Sequence, residues 1–253
     1  MTSTNYGWGL PVAASTFAKE IDFGIYLIHG AMFLIFILWG IFFTYLLIRY
    51  RHRSGVAAAG HHPKLFWSLL PDMLVLIFEV TLIVVYAIPV WSRIKIKTPS
   101  RERSNVVEVM AEQFAWSMRY PGPDGKFGRK DVKFVDSANV MGIDPEDPAG
   151  KDDIVSINEM HVPLGIPTIA ELTSKDVVHS FFVPEFRIKQ DAVPGIKMDV
   201  WFEPTLLGRF EIGCAQLCGV GHANMRGDVY VQTPEEYESW LAAQAPALQG
   251  GAQ

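Results

Sequence analysis

Two long apolar runs dominate the first third of the chain. Phe23 to Ile48 (FGIYLIHGAMFLIFILWGIFFTYLLI) holds 26 residues without an Asp, Glu, Lys or Arg. At about 1.5 Å per residue a helix of that length crosses a hydrocarbon core of about 30 Å. Leu65 to Trp91 is a second run of similar length, interrupted only by Asp72 and Glu79. Both are predicted to be transmembrane helices, over about 23–48 and 65–91, forming a hairpin. The first is too long for the apolar segment of a signal peptide, and Arg49, Arg51 and Arg53 follow it where a small-residue cleavage site would stand. Pro71 falls in the first turns of the second span and Pro89 near its exit, where helix ends tolerate proline.

From residue 95 the pattern changes to short apolar runs separated by Pro, Gly and Asp, the spacing of a β-sandwich or barrel. Strands are predicted at 106–111, 116–120, 154–157, 168–173, 178–183, 197–202, 208–212 and 228–232. The intervening PGPDGKFGRKDVKFVDSANVMGIDPEDPAGKDD reads as a long loop or decorated hairpin. Pro234-Glu-Glu-Tyr-Glu-Ser-Trp-Leu opens with a proline and acids and predicts a short terminal helix. The expected organisation is an N-terminal tail and two-helix anchor over 1–94, a β domain over 95–240 and a disordered tail over 241–253. No internal repeat is present, nor a C-x-x-C-H for covalent haem.

Composition agrees with this division: 49% of residues are hydrophobic and mean hydropathy is +0.17. The segment between the spans, RYRHRSGVAAAGHHPK, carries Arg49, Arg51, Arg53 and Lys64 and no acid. The positive-inside rule places it in the cytoplasm and both termini on the outer side. From Lys95 onward there are 16 Lys and Arg against 23 Asp and Glu, a net −7, which favours a cationic partner over nucleic acid. Asp72 and Glu79 are seven apart and share a helix face. Sixteen Leu, Ile, Val and Phe contribute roughly −7 kcal/mol to insertion of that span, against about +6 for two mid-membrane acids. The span is viable, and its acids are expected to face protein instead of lipid.

Both cysteines lie in Cys214-Ala-Gln-Leu-Cys-Gly-Val-Gly-His-Ala-Asn-Met225. A disulfide between Cys214 and Cys218 would close a very small loop and leave His222 and Met225 without a role. Zinc favours Cys and His over a thioether. Thiolate, imidazole and thioether together point to copper. A single blue-copper ion would use Cys218, His222, Met225 and one upstream histidine, leaving Cys214 idle. Two cysteines at i and i+4 can instead bridge two coppers. Of the remaining histidines, His29 lies in the first span and His52, His61 and His62 in the cytoplasmic segment, so only His161 and His179 are exported. His179, in VVHSFFVPEF, sits on a predicted strand and is the better ligand. His161 precedes Pro163 in a turn-like stretch and reads as structural. In the two-copper reading His179, Cys214, Cys218, His222, Met225 and the backbone carbonyl of Gln216 form the ligand set, and its chemistry is one-electron transfer.

With these residues placed, nearly the whole chain resembles subunit II of the haem–copper oxygen reductases, the cytochrome c oxidase family. The motifs are C-x-x-x-C-G-x-x-H-x-x-M from Cys214 to Met225, D-V-x-H-S as Asp176 to Ser180, and K-x-D-A-x-P-G as Lys189 to Gly195. The resemblance implies a membrane protein with a two-helix hairpin followed by an all-β cupredoxin-like exported domain, a Greek-key sandwich. It implies a binuclear copper centre (CuA) that takes electrons from cytochrome c, soluble or membrane-held. They pass to haem in subunit I, where oxygen is reduced beside a further copper (CuB) and protons are moved. It also implies contact with subunit III and residence in the bacterial plasma membrane, in the lipid bilayer. No nucleic acid is involved, and no residue of this chain performs the oxygen chemistry.

Three positions depart from the family pattern. Gln216 keeps the carbonyl but lacks the carboxylate that helps hold magnesium in the family. Gln113-Phe-Ala-Trp116 resembles Q-W-x-W, leaving Phe114 and Trp116 as candidates for the aromatic that admits electrons, with Trp116 the more typical of a core residue. Lys64 stands where the family often has an acid at a proton path. A nitric oxide reductase with a similar copper subunit is the alternative function. A nitrous oxide reductase domain is disfavoured by the two spans, and a copper-free quinol oxidase subunit by the complete ligand set.

Overall fold

A computed structural model of the chain describes residues 9–55, 60 and 65–250. His61, His62 and Lys64 lie outside the described residues. Contacts divide the chain into two units: Glu20–Ile96, and the segment up to Lys19 joined with residues from Lys97 onward.

The first unit is helical. Helix α1 (Ala18–Arg49) and the continuous helical run Phe66–Lys95 are each long and apolar enough to cross a membrane. The second run is composite: α2 (Leu65–Thr81), a π-helical stretch Leu82–Ala87, and α3 (Ile88–Lys95). Both helices overrun the predicted spans. Pro71 lies inside α2, past its first turn. The π stretch ends just before Pro89, the second residue of α3, and the Ile88 N–H bonds the carbonyl of Ile83, five residues back. A wider turn gives room to a proline ring that would otherwise press on the carbonyl four residues earlier. Arg93 grips both carboxylate oxygens of Glu20, and the Tyr86 hydroxyl donates to the Glu20 carbonyl. Gly24 lets the Tyr86 ring lie against α1, since a Cβ there would meet Cε1 at 2.9 Å. The hairpin is therefore closed at its Glu20–Arg93 end by side chains of both helices. Asp72 and Glu79 are exposed within this unit.

The second unit is a β-sandwich. One sheet has the order β3-β2-β1-β5-β8, from β1 (Asn105–Glu112), β2 (Ala115–Tyr120), β3 (Ile154–Ile157), β5 (Thr168–Ser174) and β8 (Met198–Phe202). The other has the order β4-β10-β9-β6-β7, from β4 (Glu159–Pro163), β6 (His179–Val183), β7 (Ile188–Ala192), β9 (Gly208–Cys214) and β10 (Arg226–Gln232). Alternation sends Val107, Val109, Trp116 and Met118 inward from the first sheet to meet Phe181, Phe210 and Val229 of the second. The Trp116 and Phe181 rings meet edge to face at 5.5 Å.

All eight predicted strands are present. The two that were not predicted, β4 and β7, are the edge strands of the second sheet. His161 is thereby moved from its expected turn onto β4, where it pairs with Tyr230 of β10. Its ring is stacked between Tyr230 and Trp240, and its Nδ1 meets Gln232 Oε1 at 2.9 Å. Residues 121–153 form a decorated hairpin joining β2 to β3. The terminal helix α4 (Pro234–Ala243) is capped by Thr233 and Glu236 in a capping box. The expected disorder of 241–253 does not hold for its described part. Ala247 N–H donates to the Asp153 carbonyl, and its side chain packs with Met141, Ile143 and Val155.

Candidate metal centre

Sheet register assembles the site at one end of the second sheet. The β9–β10 hairpin pairs Gly213 with Arg226, so the segment Cys214–Met225 is the connection closing that hairpin. Strand β6 pairs on the other side of β9 with Phe181 opposite Cys214, which brings the first residue of β6, His179, to the loop. Ala215 N–H to the Ser180 carbonyl and Cys214 N–H to the Met225 carbonyl tie down its two ends. A short 3-10 turn over His222–Asn224 then aims His222 back toward the cysteines.

The six predicted ligand positions converge. Cys214 Sγ and Cys218 Sγ are 3.8 Å apart, both thiols free, a separation far beyond the roughly 2.05 Å of a disulfide. Each sulfur has one imidazole nitrogen: His179 Nδ1 lies 3.9 Å from Cys214, and His222 Nδ1 lies 3.7 Å from Cys218. Each also has one weak donor, with the Gln216 carbonyl 3.2 Å from Cys214 and Met225 Sδ 3.8 Å from Cys218. The ligand atoms of His179, Cys214 and Cys218 all lie within 4.8 Å of one another. His179, Cys218 and Met225 are buried, while Cys214 and His222 are half-buried. Burial, together with the neighbouring Cys214, pushes the Cys218 thiol up to about 11.

A layer of partners fixes these side chains. His179 Nε2 donates to Asp176 Oδ1 at 2.8 Å, which leaves Nδ1 with its lone pair facing Cys214. Partial burial pushes the Asp176 carboxyl up, but His179 and the N–H groups of Gln113 and Val177 outweigh it and hold it below the ordinary aspartate value. Gln113 also donates from Nε2 to the Cys218 carbonyl at 2.5 Å.

The two candidate aromatics separate. Trp116 is fully buried, edge-on to His179 at 6.2 Å. Phe114 is half-buried and lies on the ligand loop itself, against Gly219 and Gly221. Sequence reasoning missed these two glycines and the Gln113 side chain. Their signal was the Gly-Val-Gly spacing, because glycine permits close approach of a ring to backbone. His29 bonds the Ile25 carbonyl within α1, and His52 is exposed in the segment that follows it.

Residues 105–232 match the family model described as cytochrome c oxidase subunit II, periplasmic domain. The alternative cytochrome c oxidase subunit 2 of Bradyrhizobium diazoefficiens is 36% identical over 241 residues, covering 94% of this chain and 84% of that protein. The cytochrome c oxidase subunit 2 of Thermostichus vulcanus is 30% identical over 260 residues, covering 91% of this chain and 77% of that protein. The chain belongs to the cytochrome c oxidase subunit II family.

Proposed function

We propose that this chain is the electron-transfer subunit of a terminal haem–copper oxidase, holding a binuclear copper centre on His179, Cys214, the Gln216 carbonyl, Cys218, His222 and Met225. The observation that carries this reading is the symmetry of the donor set. Two thiols lie 3.8 Å apart, and each has its own imidazole and its own weak donor. Two thiols, two imidazoles, a thioether and a carbonyl make a soft set that suits copper better than zinc or a hard cation. Two coppers held by these residues would supply one-electron redox chemistry.

The chain's own residues do the rest. Strand β6 and the β9–β10 connection hold the donors in a preformed arrangement, so little has to move when charge changes. Asp176 fixes the His179 tautomer. Phe114, half-buried on the ligand loop, is the point at which electrons from cytochrome c arrive, whereas buried Trp116 packs behind His179. The electrons leave for haem in subunit I, where oxygen is reduced with proton translocation. The two apolar helices anchor the chain in the bacterial plasma membrane with both termini and the sandwich on the periplasmic side. Asp72 and Glu79 seat against subunit I, because two carboxylates facing lipid are costly. Subunit III completes the complex.

The test is copper analysis and an EPR spectrum of the purified full-length chain in detergent. Two coppers per chain sharing one unpaired electron is the expected result. One copper with a mononuclear blue-copper signal would overturn the reading.

A further inference from the structure

Gln113 touches both halves of the candidate metal centre from a turn that contributes none of its ligands. We propose that Gln113 is a positioning residue for the copper centre, locking the Cys218 peptide of the ligand loop to the Asp176–His179 pair. The proposal rests on the reading of the cluster as a copper site.

Three bonds carry it. The Gln113 backbone N–H donates to Asp176 Oδ2 at 2.7 Å. The other oxygen of the same carboxylate takes the His179 Nε2–H at 2.8 Å. The Gln113 side-chain Nε2 donates to the Cys218 carbonyl at 2.5 Å. One residue therefore spans from the imidazole that faces Cys214 to the loop that bears Cys218. Its backbone is held firmly, since Gln113-Phe114 is the two-residue turn between the paired Glu112 and Ala115, followed by four more consecutive pairs of β1 with β2.

The bonded carbonyl matters because of which cysteine it belongs to. Cys218 Sγ is the hub of the cluster, with Cys214, His222 and Met225 sulfur or nitrogen atoms at 3.8, 3.7 and 3.8 Å. The direction of its Cα–Cβ bond follows the orientation of the peptide joining it to Gly219. That peptide is constrained from two sides. Gly219 has φ +137°, a conformation other residues rarely adopt, and a Cβ there would sit 2.7 Å from Gln113 Nε2. The Gln113 amide then fixes the remaining freedom by holding the carbonyl. Gln113 is an exposed turn residue, yet its amide bonds the Cys218 carbonyl.

The test uses the full-length chain in detergent, loaded with copper. Gln113→Glu keeps the side-chain reach, Gln113→Leu stops one atom short of it, both remove the donor, and Gln113→Lys supplies a donor again. Loss of an outer partner of a metal ligand typically weakens metal binding by about 10- to 100-fold. Gln113→Leu and Gln113→Glu are expected to lose copper to a chelator about tenfold faster, with an altered EPR hyperfine pattern. Gln113→Lys should return both toward the native values. Unfolding of the chelator-stripped chain should be the same in all four proteins. Native hyperfine pattern and native loss rate in Gln113→Leu and Gln113→Glu would overturn the proposal. So would a parallel fall in the stability of the stripped chain with an unchanged spectrum, the result for an ordinary turn residue. Should one of the two variants fail to fold, the other still decides. Absence of a copper signal in the native chain is a distinct outcome that removes the copper reading itself.

Discussion

The Phe114 ring lies over Gly221 so closely that a Cβ built there would sit 2.5 Å from Cδ2 and Cγ. The backbone at Gly221 is ordinary, with φ −92°, so the obstacle to a side chain is purely steric. Gly165 is the opposite case: φ is +72° and no atom lies within 4 Å of its virtual Cβ. The two positions separate close approach from backbone conformation. Gly221→Ala must push the ring or the ligand loop aside, and overpacking of this kind costs about 1–3 kcal/mol. It should lower the unfolding free energy by about that much and perturb the copper EPR spectrum, because the displaced loop carries Cys218 and His222. Gly165→Ala should cost about 1–2 kcal/mol through its left-handed backbone and leave the spectrum unchanged. Chemical unfolding and EPR on both variants check this, and a native spectrum in Gly221→Ala would show that the loop is not seated by Phe114. At this scale the candidate ligands, which the fold brings together, could be named from the sequence, because soft donors at i, i+4, i+8 and i+11 have few other uses. The seating of the loop was not legible, since it depends on a hairpin turn a hundred residues away.

At the scale of elements, the 121–153 hairpin shows how a segment that reads as loop becomes structural. Strand β2 sends Trp116, Met118 and Tyr120 into the sandwich, and its remaining face carries Arg119, which is buried all the same. Arg119 lies opposite Glu108 in the β1–β2 register and bonds Glu108, Asp153 and the Gly128 carbonyl. The hairpin thus covers the outer face of the first sheet by closing an ionic cluster over it, with Lys130 joining Glu108 at 2.8 Å. Removing one partner of a buried ionic group leaves the others unpaired and costs about 3–5 kcal/mol. Arg119→Met should therefore destabilise the chain by that amount, measured by denaturant unfolding. A pH dependence follows from Glu108. Burial pushes its carboxyl up, but Lys130 and Arg119 outweigh this and hold it below the ordinary value of 4.5. A depressed folded value means that the stabilisation is fully present above about pH 4.5 and is lost as pH falls through the folded value. Glu108→Gln should flatten that acid limb, and an unchanged limb would exclude the cluster as its source. None of this could be read from the sequence, because it needs register, which no local pattern states. Strands β4 and β7 escaped notice for a local reason: β4 runs into Pro163 and reads as a turn, and β7 reads Ile-Lys-Gln-Asp-Ala, with two apolar residues in five. The central strands, with their denser apolar alternation, were legible throughout.

For the whole molecule the deciding quantity is the charge that reaches water. The part of the chain from Lys95 onward has a net −7, from 16 bases and 23 acids. Glu108, Asp153 and Glu185 are buried, as is Arg119, which leaves 15 bases and 20 acids and a net −5 toward solvent. The residues up to 94 hold 6 bases and 4 acids, so the acidity belongs to the sandwich and not to the anchor. A surface of this sign steers a cationic partner, which under the proposed function would be a cytochrome c with a basic face. Steering acts across water and is screened with a Debye length near 10 Å at 0.1 M salt. Its contribution to an association rate ranges from about 10-fold to 1000-fold and is removed by ionic strength. In stopped-flow mixing of reduced cytochrome c with the oxidised complex, the second-order rate should fall at least about tenfold as salt rises from roughly 10 to 300 mM. The subsequent transfer within the complex should not change, because the donor set is held by hydrogen bonds and sheet register instead of by surface charge. A second-order rate indifferent to salt would exclude electrostatic docking and point to a donor already held at the membrane.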